Sequence, residues 1–339
     1  MKDVTPLASC SLVLENNRKE IYSANWGLAK DLKQKKLLTI SDVEKEGCVT
    51  LKDLLIEKGE VSFQWFIELG PGKYIVFPLV EEAHIQAAIR LDFNSTTNQF
   101  LKATQLASLP KQLMRPTVVH ANLAHNLGGR SLILIGGTEQ RENFAYSIEK
   151  NVYRKLAPLP VGHNITTNVC VNYHNQAIFT FIHDAKLFIK VAVLDLATID
   201  QDEEEEAKKS MDWVLKMEQT QHTLDRFHLK CGVAMSDNRI AIMARGRLPG
   251  MREQIASLIL YFRVSKNAEG KWNAVFETPQ IIWPTIFPRQ LDHMQRCGDT
   301  LVMVQDTADN EPFEAFSVVT NKKRKDGKYQ VHRKHFFAN

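Results

Sequence analysis

A chain of 339 residues is long enough for two average domains or for one large repeat-built domain, and a hydrophobic share of 44% with 24% charged residues excludes wholesale disorder. The net charge of +4 lies far below the basic bias of a dedicated nucleic-acid domain. Five cysteines, at 10, 48, 170, 231 and 297, form no CxxC pair and are odd in number, which argues against a disulfide framework or a zinc site and fits a reducing compartment.

The opening "MKDVTPLASCSLVLENN" holds an apolar patch too short for a signal-peptide core, and no run approaches the roughly 18 apolar residues of a membrane helix. The expectation is an intracellular, cytoplasmic protein with no membrane partner. Structure begins at once: "SCSLVLENNRKEIYSANWG" is two short apolar runs around a polar turn at Asn16 and Asn17. The same element returns in "FQWFIELGPGKYIVFPL", "VVHANLAHNLGGRSLILIGG", "TTNVCVNYHNQAIFTFI", "HLKCGVAMSDNRIAIMARG" and "LDHMQRCGDTLVMVQ". Their pivots are Gly72, Gly129, Asn175, Asn238 and Asp299. Glycine, asparagine and aspartate tolerate the positive φ that two-residue hairpin turns demand. With Asn17 as the first pivot, the repeats lie 46 to 63 residues apart.

Two more strand candidates follow each hairpin. They are "KKLLTISDV" and "GCVTLKDLL", then "AAIRLDF" and "FLKATQL", "FAYSIEK" and "VYRKLAPL", "FIKVAVLDL" and "DWVLKMEQ", "SLILYFRV" and "KWNAVFETP", and finally "FEAFSVVT" and "YQVHRKHF". The second strand of each unit is almost continuously apolar, as in Ile133–Ile135, Ile178–Ile182, Ile240–Met243 and Leu301–Val304, so burial on both faces is expected there. Later strands carry charges such as Arg154, Lys155 and Lys216, as strands nearer solvent do. Six units of four strands, buried near an axis and wetter outside, describe an all-β, six-bladed β-propeller with four antiparallel strands per blade. It forms one domain over 1–339, with blades near 9–57, 62–108, 117–160, 166–219, 227–279 and 291–337.

Residues 131–162 resemble a kelch repeat. Gly136 and Gly137 end the second strand, Tyr153 stands at the place of the motif's late tryptophan, and "KLAPLPVG" resembles its exit. Trp213 and Trp272 fall at the same late position, and "LASLP" at 106–110 echoes "LAPLP" at 156–160. Other units replace the glycine pair with Phe77 and Pro78, Ile182 and His183, or Arg245 and Gly246. The resemblance implies a kelch-type propeller of degenerate sequence.

Catalytic and metal signatures are sparse. His120 with His125, and His222 with His228, lack the spacing of a metal pair, and no GxSxG, P-loop or GxGxxG occurs. Neither cofactor nor metal is expected. Cys170 and Cys231, 61 residues apart, are expected at equivalent buried positions of neighbouring blades.

Loop charge says more. Loops joining second to third strands share one face with the between-blade loops; these place Arg141, Arg245, Arg247 and Arg252 together, with Arg115 and Arg289 nearby. Such arginines suit carboxylates through bidentate pairing. The opposite face carries the acidic insert Asp200–Asp212 and the basic run containing Lys322, Lys323, Arg324 and Lys325. The basic run lacks interleaved aromatics, so nucleic acid is not the expected partner.

The expectation is a non-catalytic interaction scaffold, a structural subunit of a large assembly of cytoskeletal or ciliary kind. Its partners would be other proteins, some with acidic segments, and no homo-oligomer is evident. Two alternatives stand beside it: a propeller enzyme acting on a sugar or small metabolite at the central channel, and an adaptor holding an acidic peptide through its loop arginines.

Overall fold

The computed structural model describes residues 12–15, 20–23, 36–39, 62–70, 73–79, 84–94, 100–114, 116–123, 129–137, 140–160, 165–184, 189–201, 212–216, 225–247, 255–277, 280–285, 290–297, 300–306, 313–323 and 329–336. Nearly all of this is β-structure, laid out as antiparallel meanders. Sheet I comprises β1 (Leu12–Glu15), β2 (Glu20–Ser23) and β3 (Lys36–Thr39). The expected fourth strand there, "GCVTLKDLL", lies outside the described residues. Sheet II holds β4 (Ser62–Gly70), β5 (Lys73–Leu79), β6 (His84–Phe93) and β7 (Phe100–Met114). Sheet III holds β8 (Thr117–Leu123), β9 (Gly129–Gly137), β10 (Gln140–Ser147) and β11 (Val152–Leu156).

Sheet IV holds β12 (Ile165–Tyr173), β13 (Ala177–Asp184), β14 (Ile189–Asp195) and β15 (Asp212–Lys216), with a short helix, α1 (Leu196–Gln201), after β14. The sequence reading did not anticipate this helix. Asp195 starts it, its Oδ1 accepting the Ala197 N–H at 3.0 Å, as an N-cap does. Sheet V holds β16 (Asp225–Ala234), β17 (Arg239–Arg247), β18 (Ile255–Lys266), β19 (Trp272–Phe276) and β20 (Gln280–Thr285). Sheet VI holds β21 (Gln290–Cys297), β22 (Thr300–Asp306), β23 (Phe313–Lys323) and β24 (Tyr329–Phe336).

Sheet V has five strand segments, but β19 and β20 share one partner. Phe276 pairs with Phe262 and Gln280 with Ile259, so the outer strand spends four residues where β18 spends three. That is one fourth strand interrupted by a bulge.

The expected hairpins form, though not all with two-residue turns. Gly70 pairs with Lys73 and Cys297 with Thr300, leaving two residues between. Three residues separate Tyr173 from Ala177, with His174 and Asn175 at φ 49° and 56° and the Gln176 N–H on the Tyr173 carbonyl at 2.9 Å. At the next hairpin the Met235 N–H meets the Arg239 carbonyl around 236–238, where Asn238 has φ 58°. Gly129 is a correction: it begins β9 opposite Leu123 instead of centring the turn.

Successive sheets pack face to face, and alternation along the strands divides each middle sheet between two cores. On sheet III, Val118, Leu132, Leu134, Phe144 and Tyr146 face sheet II, where they meet Ile75, Phe77 and Leu113. Their neighbours Val119, Ile133, Ile135 and Ala145 face Cys170, Ile178, Ile182 and Ala192 of sheet IV. Sheet IV turns Val169, Val171, Phe179 and Phe181 toward Ile240, Ile242, Leu260 and Phe262 of sheet V. Met243, Ile259 and Tyr261 then face Met294 and Leu301 of sheet VI. The runs Leu132–Ile135 and Ile240–Ala244 are fully buried, as continuous apolarity implied. Each leucine, isoleucine or methionine among them contributes roughly 1.5–3 kcal/mol of burial.

The cysteines are not equivalent. Cys170 faces sheet III, whereas Cys231 packs toward sheet VI. Counted from the two three-residue turns, the counterpart of Cys170 is Gly232, and the one-residue difference turns Cys231 to the other face. Gly232 has its own reason to lack a side chain: a Cβ there would lie 2.7 Å from Val171 Cγ2 and would also meet Ile242 Cδ1.

Candidate functional site

The two ends of the sheets differ. At the end carrying the first-to-second-strand turns, side chains of one sheet hydrogen-bond the backbone of the next. Arg130 donates to the Leu69 carbonyl, joining sheet III to II. Asn175 and Asn122 bond reciprocally: the Asn122 N–H reaches Asn175 Oδ1 at 2.7 Å and Asn175 Nδ2 reaches the Asn122 carbonyl at 3.0 Å. Asn172 Nδ2 donates to the His120 carbonyl at 2.7 Å. Between sheets IV and V, His174 Nε2 lies 2.9 Å from the Met235 carbonyl, and the Tyr173 hydroxyl donates to Asn238 Oδ1 at 3.1 Å. Arg296 reaches the Ala234 carbonyl at 3.3 Å, joining VI to V. Crowding, then the Arg130 guanidinium, lowers the pKa of His120, with Glu149 opposing. Much of this end's polar capacity serves sheet-to-sheet cohesion.

The third-to-fourth-strand loops share that end and behave alike. Asn151, at φ 54°, accepts the Tyr146 hydroxyl at 2.7 Å and the Ala107 N–H of sheet II at 2.8 Å. Asp195 Oδ2 accepts Trp272 Nε1 at 2.8 Å and Lys266 Nζ at 2.9 Å, tying sheet IV to V while Oδ1 caps α1. Lys266 also sits 4.7 Å from the centre of the Trp272 ring. The sequence marks Asn175 and Asn238 as turn pivots alone, and nothing in it singles out Asn122, Asn151, Asn172 or Asp195.

The opposite end holds the predicted arginines. Arg141, exposed at the start of β10, donates through Nε to the Leu159 carbonyl at 2.8 Å, while its own carbonyl accepts the Leu159 N–H. It thus fastens the exit segment of sheet III, and Asn143 adds a bond to the Ala157 carbonyl. Gly136, at φ 55°, supplies the bend beneath it, its N–H bonded to Asn143 Oδ1. Arg245 is half-buried on β17 opposite His228, and Arg247 ends that strand opposite Asp225. Sheet IV packs between sheet III, which bears Arg141, and sheet V, which bears this pair. Nearby, buried His183 and the ring of His228 lie 6.5 Å apart.

Arg252, Arg324, Lys325, Arg115 and Arg289 lie outside the described residues, as does 202–211 of the acidic insert. Lys322 and Lys323 end β23, where Lys323 pairs with Tyr329.

Reactive groups are muted. Burial pushes the Cys170 thiol up to about 12, against the lowering effect of its Thr180 and Thr117 contacts. Burial likewise raises Tyr146 to about 12 and raises Tyr153. Among the described residues no three His, Cys, Asp or Glu are grouped to hold a metal ion.

The late aromatics take corresponding roles. Tyr153 packs toward sheet II beside Tyr146, ring centres 4.7 Å apart, and Trp272 packs toward sheet IV beside Phe179 at 5.4 Å.

No protein-family model matches the sequence, and no curated protein matches it. Among solved structures, the chain is similar to the N-terminal domain of Nup159, with TM-score 0.39 and 11% identity over 97% of this chain and 75% of that one. It is also similar to the periplasmic gluconolactonase PpgL of Pseudomonas aeruginosa, with TM-score 0.38 and 10% identity over 77% of this chain and 82% of that one.

Proposed function

We propose that this chain is a six-bladed, kelch-type β-propeller that works as a non-catalytic scaffold, a structural subunit of a large intracellular assembly of cytoskeletal or ciliary kind. The observation that carries the reading is the division of labour between the two ends of stacked, doubly buried sheets. One end is largely committed to inter-sheet hydrogen bonds. The other carries Arg245, half-buried near the end of β17. Rigid sheets presenting loops at two ends can hold partners without rearranging strands. The acidic-peptide reading draws less support, because Arg141 fastens Leu159 and stands a full sheet away from Arg245.

Affinity capture of the tagged protein from its native cells at moderate salt, followed by crosslinking mass spectrometry, tests this reading. Stoichiometric partners are expected, and they should be lost when Arg245 and Arg247, at the end opposite the inter-sheet hydrogen bonds, are changed together to serine. Recovery of the chain alone would overturn the scaffold and direct attention to an enzymatic channel.

A further inference from the structure

The seams between neighbouring sheets differ in their interiors. At the seam between sheets II and III, Arg90 stands opposite Ile75 and Asp92 opposite Lys73, so both side chains share the face that Ile75 turns to sheet III. Across the seam the charge of Arg90 reaches Tyr146, lowering a pKa that burial raises. Arg90 Nε donates to Asp92 Oδ1 at 2.9 Å. Asp92 is only 6% exposed, and its Oδ2 is buried with no hydrogen-bond partner among the described residues. On the opposite wall Tyr153, beside Tyr146, buries its hydroxyl in the same condition.

A buried polar atom left unpaired carries its full desolvation penalty, which water removes once it can enter. The seam between sheets III and IV holds no such atom among the described residues. Its polar groups are engaged: Asn175 and Asn122 bond reciprocally, Thr180 Oγ1 lies 3.4 Å from Cys170 Sγ, and Arg154 reaches the Ile199 carbonyl. The ties from sheet II to sheet III that could hold that seam shut lie at exposed rims: Arg130 on the Leu69 carbonyl, the Ala107 N–H on Asn151 Oδ1, and Lys111 on Glu142. An exposed ion pair such as the last contributes little, because water replaces it readily. Parting either pair of sheets bares apolar side chains; parting II from III also hydrates Asp92 and Tyr153.

We infer that the seam between sheets II and III is a built-in opening of this fold: it parts locally, ahead of the seam between III and IV, and lets water reach Asp92 Oδ2 and the Tyr153 hydroxyl while the strands within each sheet stay paired. The same opening brings Leu134 and Phe144 into solvent. It goes beyond the scaffold reading and uses none of its loop charges. The capture experiment and the following one can therefore fail separately.

Leu134 and Ile135 are fully buried neighbours on β9 that face opposite seams, Leu134 toward sheet II and Ile135 toward sheet IV. Leu134→Cys and Ile135→Cys are made separately in the full chain and labelled with N-ethylmaleimide under native conditions, the rates being read by peptide mass spectrometry. Global unfolding exposes both positions equally, so a difference reports local opening. Leu134→Cys should label about tenfold faster or more. Adding Tyr153→Phe should slow it about tenfold and leave Ile135→Cys unchanged. Tyr153→Phe by itself should raise the urea midpoint by removing an unpaired hydroxyl, a readout that needs neither cysteine variant. Equal labelling rates, or labelling of Leu134→Cys indifferent to Tyr153→Phe, would overturn the inference. A lower midpoint for Tyr153→Phe, as loss of a satisfied hydrogen bond gives, would overturn it too.

Discussion

The two faces of sheet IV solve one packing problem with different materials. Against sheet III the buried contacts are aliphatic: Val119, Ile133 and Ile135 meet Cys170, Ile178 and Ala192. Farther out, Leu196 and Ile199 of α1 close the gap together with Leu156 and Leu159, and Arg154 donates to the Ile199 carbonyl at 3.2 Å. Against sheet V the filling is aromatic, with Tyr173, Phe179 and Trp272 edge to face. Neighbouring twisted sheets diverge away from their first strands, and the space between must be filled to crystal-like density. A helix plugs one wedge; indole and phenyl rings plug the other.

The comparison breaks most readily at Trp272. Trp272→Ala should cost about 3–5 kcal/mol, read as a lower urea midpoint, whereas Ile199→Ala at the helix plug should cost about 2–5 kcal/mol and leave near-ultraviolet aromatic signals intact. A smaller loss is expected at the narrow end. Gly232→Ala would force its methyl onto Val171 and Ile242 and should cost about 1–3 kcal/mol. If Gly232→Ala proves neutral, sheets IV and V do not approach as closely as described.

Alkali sharpens the contrast between sheets II–III and the rest. Tyr146 ionises near 10 in the unfolded chain but is raised to about 12 by burial in the folded one, so the folded state holds its proton longer. Stability is then fully present below about pH 10 and declines as pH rises toward 12, where the unfolded chain binds fewer protons. Tyr146→Phe should flatten that decline in pH-dependent denaturation. The smallest effect concerns the cysteines. Iodoacetamide under native conditions should label Cys231, which is partly exposed, ahead of buried Cys170, whose thiol is also held protonated. Equal rates would restore the equivalence that their spacing implied.

Much of the strand architecture was legible because turn chemistry and strand burial are local. Asn175 and Asn238 do adopt positive φ, and the apolar second strands of sheets III, IV and V are buried on both faces. Phase across a turn is not local. The two three-residue turns lie one residue farther apart than the two cysteines, and that single residue turns Cys231 to the face opposite that of Cys170. α1 was hidden because "LATID" runs straight on from the mostly apolar β14 and needs only Asp195 to start it. The arginine loops were legible as charge. Their geometry was not, since nothing in "TEQREN" announces that Arg141 will bind the Leu159 carbonyl.

Asp195 joins what the two wedges separate. One oxygen starts the helix that plugs sheets III and IV, and the other anchors the indole that plugs IV and V. A stack of sheets touching only neighbours could open one layer at a time, each with its own local free energy. A single carboxylate shared by both plugs couples those openings, because releasing either side strips a partner from the other. Sheets III, IV and V are therefore expected to open as one cooperative unit, their amides in β9, β13 and β17 exchanging with solvent in step and, after Asp195→Ala, in sequence.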